Sequence, residues 1–139
     1  MSWLAQLGAV ALGGAIGASS RWGVSLAMRT GESGRFPWAT LSVNLLGCLL
    51  IGVCAAWFAS QGEHDAPGRY GVRIVETHHL LLMVGVLGGF TTFSTFALDA
   101  MALWAQGQRS MALAYVVASN VGGLVCAVVG WWLVERTVA

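Results

Sequence analysis

The chain has 139 residues, 57% of them hydrophobic and 9% charged, against about 25% charged in a water-soluble domain. One domain's length and a mean hydropathy of +0.72 exclude a soluble globular protein, because so few charges cannot cover a wet surface. The net charge of +1 comes from six acids and seven arginines, with no lysine and no basic cluster, which sets nucleic-acid binding aside.

Four apolar stretches each reach the roughly 18–20 residues that a helix needs to cross a bilayer. The first runs from about Trp3 to Ser20 and continues past Arg21 to Met28. After the short polar loop 30–35, the second covers about Phe36 to Ala59. The third spans about Leu80 to Trp104 and the fourth about Met111 to Val134. The prediction is one all-α integral membrane domain over residues 1–139, with spans at about 3–28, 36–59, 80–104 and 111–134. The segment from Ser60 to His79 holds Glu63, Asp65, Arg69, Arg73 and Glu76 and reads as a loop, with room for a short interfacial helix. Trp3, Trp38, Trp57, Trp104, Trp131 and Trp132 fall near span ends, where indole rings favour the water–lipid boundary. The N-terminal residues lack the positive region of a cleaved signal peptide, so the first span is expected to stay in the mature protein. Cys48, Cys54 and Cys126 are isolated within apolar runs and read as packing residues, not as a disulfide framework or a zinc site.

Orientation is undetermined by charge. Four spans put Arg69, Arg73 and Arg136 on one side and Arg29, Arg35 and Arg109 on the other, with Arg21 joining the second group if it reaches that interface. Without a bias the positive-inside rule selects neither orientation. Two oppositely inserted copies could then form an antiparallel dimer. A partner or the long loop overriding a weak bias is the other reading.

Polar residues inside the spans carry the functional signal. On the first span, Gly13, Gly14, Gly17 and Arg21 share a face; the glycines allow another helix to approach closely, and Arg21 either snorkels or pairs with carbonyls. Thr40, Asn44 and Gly47 share a face of the second span. Asn44 serves either as interhelical glue or as a pore-lining donor. The third span contains Gly88-Gly89-Phe90-Thr91-Thr92-Phe93-Ser94-Thr95-Phe96, in which paired glycines and two β-branched threonines make poor helix material. A break there frees carbonyls, tolerated in a membrane only where backbone is buried in protein, lines water or binds an ion. Phe93 and Phe96 project from one face with the hydroxyls of Ser94 and Thr95 between them, and the positive ring edges can favour an anion. Asp99 follows on the face of Thr95 and Phe96, near the span's end. The fourth span holds Ser119 and Asn120 above Gly122 and Gly123.

The Gly88–Phe96 run resembles the signature of the Fluc (CrcB) fluoride-channel family, as do Gly13-Gly14-Ala15-Ile16-Gly17-Ala18 with Arg21, Thr40-Leu41-Ser42-Val43-Asn44, and Ser119. The resemblance covers nearly the whole chain. It implies a bacterial inner-membrane protein that assembles as an antiparallel, dual-topology homodimer and passively exports fluoride through two pores. By the motifs, Phe93 and Phe96 correspond to the phenylalanines whose edges contact fluoride, and Asn44 to the pore asparagine. Ser94, Thr95 and Ser119 fall on the polar track, and Arg21 and Thr40 near the vestibule. Gly88 and Thr91 correspond to positions whose main-chain carbonyls, from both subunits, hold a structural Na+ that is not transported. Asp99 stands where the family pattern has glutamate, and the 60–79 loop is longer than usual.

Fluoride is strongly hydrated, so a pore must replace water with neutral donors that do not trap the ion. A dual-topology cation or multidrug exporter of similar size would need a buried acid in its first span, which is absent. A non-transporting assembly subunit would account for the glycine stripes but not for the hydroxyl–phenylalanine run. No nucleophile–base or metal constellation suggests an enzyme.

Overall fold

The structure, a computed structural model, describes residues 2–28, 36–60 and 77–138. The expected 30–35 loop, most of the 60–79 loop and the arginines Arg29, Arg35, Arg69 and Arg73 lie outside the described residues.

All regular structure among the described residues is helical. Helix α1 (Trp3–Ala27) begins at Ser2, whose hydroxyl accepts from the Ala5 N–H at 3.4 Å. Helix α2 (Trp38–Ser60) follows Pro37, whose fixed φ suits a helix start and whose carbonyl accepts from the Leu41 N–H at 3.1 Å. The third apolar stretch is composite. A short turn α3 (Thr77–His79) leads into a π-helical segment (Leu80–Leu87), then α4 (Gly88–Phe90). After Thr91 and Thr92 comes α5 (Phe93–Ala105), and α6 (Arg109–Val138) completes the chain.

The turn between α5 and α6 follows from one glycine. Gly107 has φ of 80°, a conformation that costs a Cβ-bearing residue energy. It lets the Gly107 N–H reach the Trp104 carbonyl and the Gln108 N–H reach that of Leu103, both at 3.0 Å, so the last carbonyls of α5 are satisfied. Helix α6 is 30 residues long, about 45 Å at 1.5 Å per residue, enough to cross both interfaces. Arg109 at its start lies 5.4 Å from the Trp104 ring centroid, and Arg136 near its end 3.8 Å from that of Trp132. Each pair joins a cation to an interfacial indole, anchoring opposite ends of the helix.

Among the described residues, three helical stretches are long and apolar enough to cross a membrane: Trp38–Ser60, Leu80–Ala105 and Arg109–Thr137. Helix α1, expected as a fourth, has the length, with 25 residues, but its many small residues dilute its hydropathy. Those small residues are used for packing. A Cβ on Gly13 would overlap the Leu81 carbonyl oxygen and come within 2.9 Å of Gly85 Cα, so α1 lies backbone to backbone on the π-helical segment. A Cβ on Gly17 would come within 2.7 Å of Phe90 N. Helix α2 packs in the same manner on α6, where a Cβ on Gly52 would meet Trp131 N at 3.0 Å and one on Gly130 would meet Val53 N at 3.0 Å. Glycine stripes thus supply the close van der Waals contact that helices in lipid need, since hydrocarbon gives no hydrophobic drive for their association.

The core is small. Leu41, Phe96, Leu103, Ala112 and Tyr115 form its buried centre, with Phe36, Leu45 and Val116 packed against it. Outside, Leu7, Ile16, Leu98, Val117 and Leu124 are exposed, which is the pattern of a protein whose solvent is lipid.

Candidate functional site

Thr91 and Thr92 both have extended backbone, with φ, ψ of −77°, 156° and −150°, 115°, between α4 and α5. Their neighbourhood is a question of where the backbone groups find partners. The Thr91 N–H and hydroxyl both donate to the Leu87 carbonyl at 3.0 Å. The Gly89 carbonyl accepts from Arg21 Nε at 3.3 Å. Asn44 takes both groups of Thr92: its Oδ1 accepts from the Thr92 N–H at 2.8 Å, and its Nδ2 donates to the Thr92 carbonyl at 3.1 Å.

Thr92 also organises the hydroxyls. As N-cap of α5 its Oγ1 accepts from the Thr95 N–H at 3.2 Å. The same oxygen donates to Thr95 Oγ1 at 3.0 Å and lies 3.3 Å from Ser94 Oγ. The capping threonine therefore ties the start of α5 to the strip of backbone that Asn44 clamps.

Beside this strip lies an open groove of about 290 Å³, bordered by Asn44 and Gly47 of α2, Gly88 to Phe93 in part, Phe96, and Ser119 and Asn120 of α6. Phe93 is 77% exposed and Phe96 only 9%. Their ring centroids are 5.4 Å apart with planes tilted by 46°. The two rings touch, yet one projects into the groove while the other packs on Tyr115 at 5.4 Å. Spacing three on a helix leaves them about 60° apart around the axis, enough to separate a wall residue from a core residue. Ser119 Oγ is buried beside the groove, close to the Tyr115 hydroxyl, and has no hydrogen bond within 3.5 Å among the described residues. Ser94 and Thr95 do not line the groove.

Thr40 is engaged elsewhere: its hydroxyl donates to Asp99 Oδ2 at 2.7 Å. The Tyr115 hydroxyl donates to the same oxygen at 3.4 Å, and Tyr115 is fully buried. Thr40, Asp99 and Tyr115 thus form a cluster over the core, continuous with Phe96. Arg21 pairs with a carbonyl, so its guanidinium braces the Gly89 backbone. Sequence reasoning does not single out two residues of this arrangement. Tyr115 lies four before Ser119, on the same α6 face, and that spacing is the available signal. Thr92 sits inside the aromatic run, immediately before a helix, in an N-cap context. Among the described residues no group of three or more His, Cys, Asp or Glu side chains comes together.

Comparisons with known proteins agree with one another. The family model described as "CrcB-like protein, Camphor Resistance (CrcB)" matches residues 8–131. A protein of Paracoccus denitrificans (strain Pd 1222) named "Fluoride-specific ion channel FluC" is 45% identical over 122 residues, covering 87% of each chain. Its namesake from Methylobacillus flagellatus is 41% identical over 133 residues, covering 95% of this chain and 96% of its own. A third, from Chelativorans sp. (strain BNC1), is 42% identical over 124 residues, covering 89% and 91%. All three are named as ion channels, none as an enzyme. With its helices long and apolar enough to cross a bilayer and a match over nearly its whole length, this chain is a multi-pass membrane protein of the CrcB family.

Proposed function

We propose that the chain forms a fluoride-selective channel that passively exports fluoride across the bacterial inner membrane and so lowers its cytoplasmic concentration. The observation that carries this reading is the chemistry of the groove. Ring edges at Phe93 and Phe96, the Ser119 hydroxyl and the remaining Nδ2 proton of Asn44 are neutral, weakly positive donors. They can stand in for fluoride's water without a full cationic charge that would hold the ion too long. The relatives' names support the same ion.

Ser94 and Thr95 belong to this reading as hydroxyls that relay through Thr92 to the groove, and Arg21 and Thr40 as vestibule residues. The Thr40 proton is donated to Asp99, so Thr40 acts by holding that carboxylate. The alternatives are weaker. An exporter coupled to protons lacks an acid on α1, and an assembly subunit has no use for a buried hydroxyl beside an exposed phenylalanine.

The functional unit in this proposal is an antiparallel, dual-topology homodimer in which α1 also crosses the membrane. The balanced arginines allow a second copy to enter inverted. Expressed with a C-terminal tag, the protein should be labelled from both membrane faces; tags confined to one face would exclude the inverted pair.

A structural sodium ion fits the donor set. The Gly88 and Thr91 carbonyls are hard oxygens beside the extended backbone, and a second chain would double them. Bound there, sodium would supply fixed positive potential and satisfy the extended backbone.

The deciding measurement is ion efflux from liposomes containing the purified protein, fluoride compared with chloride. Rapid fluoride release with chloride retained is expected; equal release or none would overturn the proposal. Replacing Phe93 with Ile should slow fluoride efflux several-fold while leaving the folded chain intact, because Phe93 is mostly exposed and its ring edge contributes about 0.5–1.5 kcal/mol. Phe96→Ile should slow efflux too and also lower thermal stability, since it strips a ring from Tyr115. Unchanged efflux in both variants would remove the ring edges from the mechanism.

A further inference from the structure

We infer that Asn120 is a second carboxamide of the ion path, and the one with more hydrogen-bonding capacity to spend. This rests on the channel reading above. Asn120 borders the same groove as Asn44, Phe93 and Ser119. It lies eleven residues beyond Arg109, which starts α6, and seventeen before Thr137. At 1.5 Å per residue it is about 16 Å from the nearer end of the span, deep within the hydrocarbon.

A carboxamide has two donor protons and two acceptor lone pairs. Asn44 commits its Oδ1 to the Thr92 N–H and one Nδ2 proton to the Thr92 carbonyl. One proton remains for an ion, and any movement of the amide toward that ion would release the backbone it clamps. Among the described residues Asn120 makes a single hydrogen bond, from Nδ2 to the Val116 carbonyl of its own helix at 2.7 Å. The carbonyl of Val116 belongs to the helix ladder, so giving up this bond leaves no backbone group stranded. Asn120 can turn toward an anion at low cost and Asn44 cannot.

Exposure makes the same point. An exposed amide at this depth, with one proton and its oxygen unspent, is expensive against lipid tails. It is reasonable against a hydrated or ion-bearing path. Phe93, also exposed, and the Ser119 hydroxyl beside it mark the groove as that path. In this arrangement Asn44 sets the backbone shape and Asn120 solvates the passing ion. Both are neutral, so the path gains donors without a charge that would trap fluoride.

The experiment is fluoride efflux from liposomes holding Asn120→Leu, Asn120→Asp and Asn120→Gln proteins, each first checked for oligomeric state against the unmodified chain. Leu keeps the bulk and removes the donors; efflux about five- to tenfold slower is expected, the rate equivalent of one lost hydrogen bond. Gln keeps the amide and should retain most of the efflux. Asp removes the donors and adds a negative charge, so efflux should be slower still at neutral pH and recover as acid protonates the carboxyl. A residue that only packs would not give a pH dependence beyond that of the unmodified chain at the same pH. Leu and Asp variants that both release fluoride at the unmodified rate would overturn the inference, as would slowing that accompanies only a changed oligomeric state. Liposomes of the unmodified protein that release no fluoride would instead overturn the channel reading.

Discussion

Replacing Asn44 with Asp should reduce fluoride efflux at least about a hundredfold, the equivalent of some 3 kcal/mol at the barrier. The side chain keeps its volume, and one oxygen can still accept from the Thr92 N–H, now 2.8 Å from Oδ1. The other position changes from a donor to a negatively charged oxygen 3.1 Å from the Thr92 carbonyl. Two acceptors then face each other with no proton between them. The extended strip must shift, and the hydroxyls that Thr92 gathers, Ser94 and Thr95, shift with it. A negative charge beside the groove also repels the anion directly. Asn44→Ala isolates the structural part, because it leaves both Thr92 groups unpaired without adding charge; its efflux should fall less than that of the Asp variant. Efflux at the unmodified rate in a folded Asn44→Asp protein would remove both the clamp and the charge from the mechanism.

The largest effect on folding is expected from Gly13→Val. The first carbon of the new side chain would overlap the Leu81 carbonyl oxygen and lie 2.9 Å from both Gly85 Cα and Val86 N. All three are backbone atoms, so no side chain can rotate away to make room. Relief requires α1 to separate from the π-helical segment, losing contacts along their length, and a cost of about 3 kcal/mol or more follows. Gly14→Ala is the control. A Cβ there meets nothing within 4 Å, and alanine is the better helix former by about 0.5–1 kcal/mol. Thermal aggregation in detergent should therefore occur at markedly lower temperature for Gly13→Val and be unchanged or raised for Gly14→Ala. Equal stability of the two variants would contradict the backbone contact between α1 and the third stretch.

Much of this protein is legible in its amino-acid sequence. Hydrophobic composition and a scarcity of charge determine its solvent, because a water-facing surface cannot be built from these residues. Apolar length determines where helices run, and the helix bounds at 38–60 and 109–138 differ from the expected spans by only a few residues. Helix α1, at 3–27 against an expected 3–28, keeps its bounds, and the glycines that make it a packing helix make it less apolar than its neighbours. Helical spacing puts Gly13 and Gly17 on one face, and a small-residue face admits only one kind of contact.

Tertiary structure alone decides which polar groups are spent and which are free. Asn44 and Thr92 are 48 residues apart, and Thr40 and Asp99 are 59 apart. Sequence periodicity describes the angle of a residue about its own helix, but not the depth and rotation at which two helices meet. The asparagine that sequence offers as interhelical glue or as a pore donor has most of its amide committed to backbone, and the threonine that the resemblance puts near the vestibule donates to a carboxylate. Phe93 and Phe96, equivalent in the motif, divide into an exposed wall and a buried core contact because Tyr115 of another helix covers only one of them. Hydrogen bonds within about 3 Å and burial by a neighbouring helix depend on sub-ångström register between elements. That register is fixed by how all the helices pack together, which no local stretch of the chain encodes.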